Sequence, residues 1–206
     1  MLIDLHLRED ILLHFPNFEY WNCTENPERL DFSRSDNLVG DQQEAFLLYH
    51  IFNQIKRDCG GVGLDIGCGQ GAHFCCVGLN DYFGKYHPQY GGEYLPHVTS
   101  LAENITCFNE GTFNFVVSAH ILEHVNNPMV TFRNWLKLIR KGGSIILLMP
   151  DKNYEKPGPW DPSHRNFFTP EDFENNCIIP NQDLIKMEIF NNLHNKFSMN
   201  FVGRRI

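Results

Sequence analysis

Apolar and polar stretches alternate along this chain in a pattern typical of strands and helices. Short runs rich in β-branched and aromatic residues predict buried strands, because they are too short to form a helix. These predicted strands cover residues 62–66, 75–79, 113–118, 144–149, 185–190 and 198–204. Apolar positions at helical spacing predict helices over 41–56, from His124 or Pro128 to Arg140, and over 170–176. Strands that alternate with helices predict a parallel α/β sheet, and the last two strands predict a closing antiparallel pair.

The ends of several predicted elements carry specific signals. Thr169 precedes Pro170, which predicts an N-cap followed by proline at the first helical position. The segment Lys141-Gly-Gly143 predicts the end of the preceding helix, because glycine accepts the left-handed conformation there. Residues 82–97 are rich in tyrosine, glycine and proline, and they predict a loop.

Length and composition favour one domain. At 206 residues the chain has room for one substantial core, which we assign to residues 39–206, with 1–38 as an N-terminal arm or cap. The net charge of −8 argues against nucleic acid as a partner. Charges interrupt the N-terminus and no run approaches the ~18 apolar residues of a membrane span, so we expect neither a signal peptide nor a span. Seven cysteines without a C-x-x-C pair favour reduced thiols and a cytoplasmic location.

A glycine-rich turn follows the first predicted strand and indicates a ligand site. Gly67, Gly69 and Gly71 allow the backbone to approach a ligand closely, because they carry no Cβ. A dinucleotide is disfavoured, since the carboxylate of Asp65 would repel a pyrophosphate and the acid expected roughly 20 residues later is missing. A cationic nucleoside without phosphate fits better, and S-adenosylmethionine is the common one.

The segment Asp65-x-Gly67-x-Gly69-x-Gly71 resembles the first motif of class I S-adenosylmethionine-dependent methyltransferases. Later segments of the same family follow in the same order, at 113–124, 138–143 and 145–151. The resemblance covers about residues 40–206. It implies a Rossmann-like three-layer sandwich, a mostly parallel sheet with a closing antiparallel strand, and S-adenosylmethionine as the cofactor.

The resemblance also implies where the cofactor binds. Asp65 would pair with its methionine ammonium group, and the glycines of the turn would lie against it. Asn80 stands where relatives carry an acid that binds the ribose, and backbone groups near Ala102 would hold the adenine. Leu101 stands where many relatives carry an aspartate for the adenine amine. Ser118, and with it His120, would line the floor near the sulfonium.

A cluster of histidine and glutamate residues follows the strand at 113–118. His120, Glu123 and His124 have the bare form of a metalloprotease signature, but the surrounding sequence has no such context. They share a face if a helix begins at His120, and His164 is a fourth candidate ligand. The segment is similar to the E-x-x-E-H motif of metal-dependent RNA-ribose and ubiquinone-pathway O-methyltransferases. That resemblance implies a divalent metal such as manganese, iron or zinc.

Other readings of the cluster and of the chain stay open. Without metal, His120 or His164 would act as general base, and the polar residues at 120–124 would otherwise only stabilise a helix start. We expect a methyltransferase acting on a hydroxyl of a saccharide or another small molecule, since the segment 161–170 resembles glycan-pathway relatives. Asn80 and Leu101 motivate the alternative, a non-catalytic binding module that keeps the fold.

Overall fold

The computed structural model describes residues 61–68, 76–81, 86–87, 92–93, 96–153, 162–192 and 198–206. The predicted arm at 1–38 and the predicted helix at 41–56 lie outside these residues. Within them, no helix is long and apolar enough to cross a membrane.

Most of the strands belong to one seven-stranded sheet. The strands are β1 (Gly63–Ile66), β2 (Cys76–Asn80), β3 (Tyr86–His87), β4 (Gly92–Glu93), β5 (Val98–Thr99), β6 (Phe113–Ala119), β7 (Ile139–Pro150), β8 (Ile185–Asn192) and β9 (Ser198–Arg205). Their order across the sheet is β5-β2-β1-β6-β7-β9-β8. Only β9 runs antiparallel to its neighbours in this sheet. The predicted class, a Rossmann-like and mostly parallel sheet with a closing antiparallel strand, is confirmed.

Helix α1 (Pro128–Leu138) packs on this sheet through its apolar side. Phe132 and Trp135 of α1 are fully buried, and the Phe132 ring makes edge contacts with Phe173 and Phe201. Phe173 belongs to the short helix α2 (Pro170–Phe173), and Phe201 belongs to β9. The hydrophobic effect therefore joins α1, α2 and the antiparallel end of the sheet in one core.

Residues next to the start of α1 fix where the helix begins, whereas its end differs from the prediction. The side chain of Asn127 accepts a hydrogen bond from the Val130 N–H, 3.1 Å away, and Pro128 occupies the first turn. The helix ends at Leu138 and β7 begins at once, so the glycines at 142 and 143 do not terminate it. Gly142 does adopt a positive φ of 80°, but it does so inside β7, near an irregularity in the pairing with β6.

Of the remaining sequence signals, one agrees with the structure and one differs from it. Thr169 caps α2 as predicted: its side chain accepts from the Asp172 N–H, and the Asp172 carboxylate accepts from the Thr169 N–H. Residues 82–97 are not simply a loop, because β3 and β4 form a separate antiparallel pair there. Local capping chemistry was visible in the sequence, whereas pairing between short strands depends on contacts that a local pattern does not show.

Candidate functional site

Four neighbouring parallel strands, β5, β2, β1 and β6, have their carboxyl ends at one edge of the sheet, and β7 continues this edge. Ligands of open α/β sheets bind outside such an edge. The next-to-last residues of β1 and β6 carry polar side chains: Asp65 and Ser118 are both buried to 2% exposure. We therefore take this edge of the sheet as the candidate site.

The turn after β1 is shaped by Gly67. Its φ is 83°, and a Cβ there would come within 2.2 Å of the Ile121 side chain. The N–H groups of Gly67 and Cys68 both donate to the carbonyl of Leu79, at 2.8 and 3.2 Å. These two amides are thus engaged within the protein, which is unlike the free amides that bind a pyrophosphate. Gly69 and Gly71, the other predicted cofactor contacts of the turn, lie outside the described residues.

Asp65 provides a buried negative charge directly before this turn. It lies on β1 in register with Gly78 of β2, and its side chain is 2% exposed. Burial, and secondarily the charge of Asp65, raise the pKa of the Cys68 thiol to about 12, so this thiol is neutral. A buried carboxylate beside neutral groups is well suited to bind an ammonium group.

The other predicted cofactor residues already make contacts within the fold. The Oδ1 atom of Asn80 accepts from the Asp81 N–H at 2.8 Å. The Ser118 hydroxyl donates to the Ile66 carbonyl at 3.0 Å, and the Trp135 indole donates to the Ala102 carbonyl at 2.8 Å. Ser118 therefore joins β6 to β1 just before the glycine turn. The roles of these residues toward a cofactor remain predictions.

We expect that Asn80→Asp strengthens cofactor binding or leaves it unchanged. A carboxylate keeps one oxygen for the Asp81 N–H and offers the other to both ribose hydroxyls, which an amide does not. Calorimetric titration with S-adenosylhomocysteine measures the effect. A large loss of affinity would show that Asp81, rather than Asn80, occupies the ribose position.

Glu123, His124 and His164 form the second part of the site. One ligand atom from each of the three side chains lies within 4.8 Å of the others. Glu123 is 1% exposed, and among the described residues neither of its carboxylate oxygens has a hydrogen-bond partner. The His124 and His164 rings are in edge contact at 4.8 Å. An unsatisfied buried carboxylate is costly, so its retention points to a ligand or a proton at this place.

The expectation that His120, Glu123 and His124 share a helical face is wrong. Residues Leu122–His124 form only a 3₁₀ turn, and His120 has a φ of 55°, which rotates the chain before this turn. His120 is therefore not part of the three-residue cluster. Its Nδ1 atom instead lies 3.3 Å from Oε1 of Glu123, a close contact without the geometry of a hydrogen bond.

The segment 162–168 binds to the backbone of Glu123, an arrangement that the sequence analysis missed. The N–H groups of Arg165 and Asn166 donate to the Glu123 carbonyl at 2.8 and 2.9 Å. The Asn166 side chain also donates to the Val125 carbonyl at 2.7 Å. These bonds bring His164 against His124 from a distant part of the chain. No local periodicity signals such a contact between residues about forty positions apart.

Ser163 contributes to the same arrangement. Its hydroxyl lies 2.9 Å from Nδ1 of His124. A contact of this type selects which ring nitrogen carries the proton and orients the imidazole. Ser163 was not among the site residues predicted from the sequence.

Comparison with known proteins assigns the family. The profile of the family described as "Methyltransferase domain" matches residues 48–177, more than half of the chain. The chain belongs to this family. A ubiquinone biosynthesis O-methyltransferase of Aromatoleum aromaticum is 26% identical over 156 residues, which are 65% of this chain and 67% of that protein.

Solved structures share the fold of this methyltransferase. A SAM-dependent methyltransferase of Aquifex aeolicus has a TM-score of 0.54 at 10% identity, over 88% of this chain and 99% of its own. A SAM-dependent methyltransferase of Thermotoga maritima has a TM-score of 0.53 at 15% identity, over 85% and 100%. The family match and the curated relative, rather than these structures, assign an S-adenosylmethionine-dependent methyltransferase, and the non-catalytic module is not favoured. The buried Asp65 carboxylate fits the ammonium group of this cofactor.

Proposed function

We propose that this methyltransferase transfers the methyl group to a hydroxyl of a small molecule, and that Glu123, His124 and His164 activate this hydroxyl. The observation that carries the proposal is the buried carboxylate of Glu123, whose oxygens have no hydrogen-bond partner among the described residues. Two imidazoles converge on it beside the carboxyl end of β6. These three side chains offer either a proton acceptor or a set of metal ligands. Either one would help a hydroxyl oxygen to attack the methyl group.

The similarity to an O-methyltransferase of ubiquinone biosynthesis supports oxygen as the acceptor atom. A hydroxyl is a weak nucleophile near neutral pH, so its reaction gains from deprotonation, whereas an amine or a thiol needs less help. Both a saccharide hydroxyl and a hydroxyl on an aromatic ring meet this description. The cluster contains no residue whose chemistry selects between these two classes.

The reaction is a direct displacement at the methyl carbon. The acceptor oxygen forms a bond to this carbon as the carbon–sulfur bond breaks, and the electron pair stays on the sulfur of S-adenosylhomocysteine. The hydroxyl proton passes to Glu123 or to an imidazole of the cluster. Holding the acceptor in line supplies much of the acceleration, and proton removal contributes typically 10²–10⁴-fold.

The cluster also fits a divalent cation, which is the second form of the proposal. One carboxylate and two imidazoles are the ligand types that manganese, iron and zinc accept. Metal–nitrogen bonds of about 2.1 Å place tetrahedral ligand atoms about 3.4 Å apart, so the present separations of up to 4.8 Å would contract on binding. A bound cation would lower the pKa of the acceptor hydroxyl, as metals do for bound water.

The test of the function is a transfer assay with methyl-labelled S-adenosylmethionine. We expect product with small-molecule hydroxyls, so the panel contains sugars with vicinal hydroxyls, catechol-type rings, and amine and thiol analogues of the same rings. Transfer to hydroxyls that is lost in Glu123→Gln supports the proposal. Transfer only to amines or thiols, or transfer to hydroxyls that is unaffected in Glu123→Gln, contradicts it.

Chelation distinguishes the metal form from the form with a general base. If the cluster holds a cation, exhaustive chelation abolishes activity, and manganese, iron or zinc restores it. Direct binding of manganese or zinc to the resting protein, measured by calorimetry, is lost in His164→Ala. Full activity after chelation, with elemental analysis showing no bound ion, would leave Glu123 and the histidines as proton acceptors.

A further inference from the structure

We infer that His97 is a positioning residue for the cofactor: its neutral imidazole holds β2 at the cofactor site, and its protonation weakens cofactor binding. His97 lies directly before β5 and outside every motif of the sequence analysis. The inference rests on the placement of the cofactor beside Asp65, and it does not depend on the identity of the acceptor.

His97 binds both backbone polar groups of Gly78 that face β5. Its N–H donates to the Gly78 carbonyl at 2.9 Å, and its Nδ1 atom accepts from the Gly78 N–H at 2.9 Å. The pairing between β2 and β5 comprises only two residue pairs, Leu79 with Val98 and Asn80 with Thr99. The His97 side chain therefore extends a very short strand pairing by one residue, toward the start of β2.

The contact defines the charge state of the ring. A backbone N–H only donates, so Nδ1 must keep its lone pair, and the imidazole is neutral with its proton on Nε2. Protonation would place a second N–H on Nδ1, facing the N–H of Gly78. The hydrogen bond would be lost, and the Gly78 N–H would lose this acceptor at a partly buried position.

The same ring is linked to the cofactor site through β2 and through charge. Gly78 is in register with Asp65 on β1, and it lies two residues before Asn80. The charge of Asp65 acts on His97. Protonated His97 would be a cation near the carboxylate that is predicted to bind the cofactor's ammonium, and it would compete for that carboxylate. Loss of the Gly78 bond and this competition both lower cofactor affinity.

The direction of the pH effect follows from the pKa of His97. Partial burial lowers this pKa from its usual value of 6.5, and the charge of Asp65 opposes the shift without cancelling it. A histidine with a lowered pKa is held neutral by the fold, so its contribution is fully present above pH 6.5. The pKa of His97 lies below 6.5, and the contribution is lost as the pH falls through this pKa.

The experiment measures S-adenosylhomocysteine binding by calorimetry between pH 5 and pH 8, in wild type, His97→Asn and His97→Ala. Asparagine places an oxygen near the position of Nδ1 and does not titrate in this range, so it is the conservative variant. We expect wild-type affinity to fall about two- to tenfold toward pH 5, as for the loss of one hydrogen bond. His97→Asn should bind as wild type does at pH 8 and lose the pH dependence.

His97→Ala should bind weakly across the whole range, because it has no acceptor for the Gly78 N–H. Circular dichroism at each pH confirms that the variants are folded. A wild-type affinity that does not change with pH, or a His97→Asn profile that equals the wild-type profile, would overturn the inference. The placement of the cofactor is tested separately by Asp65→Ala, and methyl transfer to the acceptor is tested by the activity assay. The failure of one proposal is therefore distinguishable from the failure of the others.

Discussion

Replacing Asp65 with alanine is expected to weaken S-adenosylhomocysteine binding roughly ten- to hundredfold. The carboxylate is buried at the end of β1, and a hydrogen bond to a charged group contributes about 1.5–3 kcal/mol. The cofactor carries an ammonium group, which pairs with a carboxylate through a charge-assisted hydrogen bond. Calorimetric titration of the wild type and of the variant, at one pH above 7, measures the loss.

Asp183→Ala is the matched control for this experiment. Asp183 is exposed, and it pairs with Arg133 far along the chain from the glycine turn. Its replacement removes a carboxylate of the same type without touching the candidate site, so cofactor affinity should not change. Equal affinity in the wild type and in a folded Asp65→Ala protein would disprove the placement of the cofactor.

Replacing Glu123 with leucine is expected to remove activity and to leave the fold intact or more stable. The carboxylate is 1% exposed, and its oxygens have no hydrogen-bond partner among the described residues. An apolar side chain of similar size avoids this desolvation cost, so the free energy of unfolding should be unchanged or rise by about 1–3 kcal/mol. Activity should fall by about 10²–10⁴-fold, the usual contribution of a group that accepts the proton.

Measuring both the activity and the stability of Glu123→Leu distinguishes a functional role of the carboxylate from a structural one. If Glu123 mainly stabilises the turn at 122–124 through His120, Glu123→Leu lowers the midpoint of thermal unfolding, and loss of activity follows from unfolding. Glu188→Leu is the matched control, because Glu188 pairs with Arg204 on β8 and β9, away from the strand ends of the site. We expect this control to retain activity, with stability within about 1 kcal/mol of the wild type.

Backbone strain at His120 is a second feature of the site that lowers the free energy of unfolding. His120 is the non-glycine residue with a positive φ among the described residues, and its N–H donates to the Leu148 carbonyl at 2.9 Å. Such a conformation costs free energy for a residue with a Cβ, and it persists where the surrounding structure imposes it. The strained residue and the unsatisfied carboxylate of Glu123 lie next to each other, as is common at functional sites.

Much of the fold could be read from the sequence because the signals are local. Short β-branched runs bury both faces of central parallel strands, and β1, β6 and the central part of β7 lie where such runs occur. Thr169 and Asp172 form a reciprocal cap within four residues of each other. Gly67 adopts a positive φ, as the glycine pattern after β1 indicated. In each case the deciding interaction joins residues that are close in sequence.

The composition of the functional site, in contrast, depended on tertiary contacts. His120 has a positive φ and donates its N–H to the Leu148 carbonyl of β7, and it lies outside the cluster of Glu123, His124 and His164. His164 lies beside His124, and Asn166 binds the backbone of a turn that is 43 positions earlier in the chain. The sequence predicted His120, Glu123, His124 and His164 as one set of candidate ligands, and the structure brings the last three of them together.

The sequence by itself therefore determined the family and the parallel sheet, since these follow from residue type at fixed local spacing. Only the tertiary structure decided that Glu123, His124 and His164 form a cluster that does not include His120, and that His97 binds Gly78 of β2, which is in register with Asp65. The physical reason is that hydrogen bonds between distant segments depend on how strands are ordered and how loops fold back on them. Local propensities do not specify that arrangement.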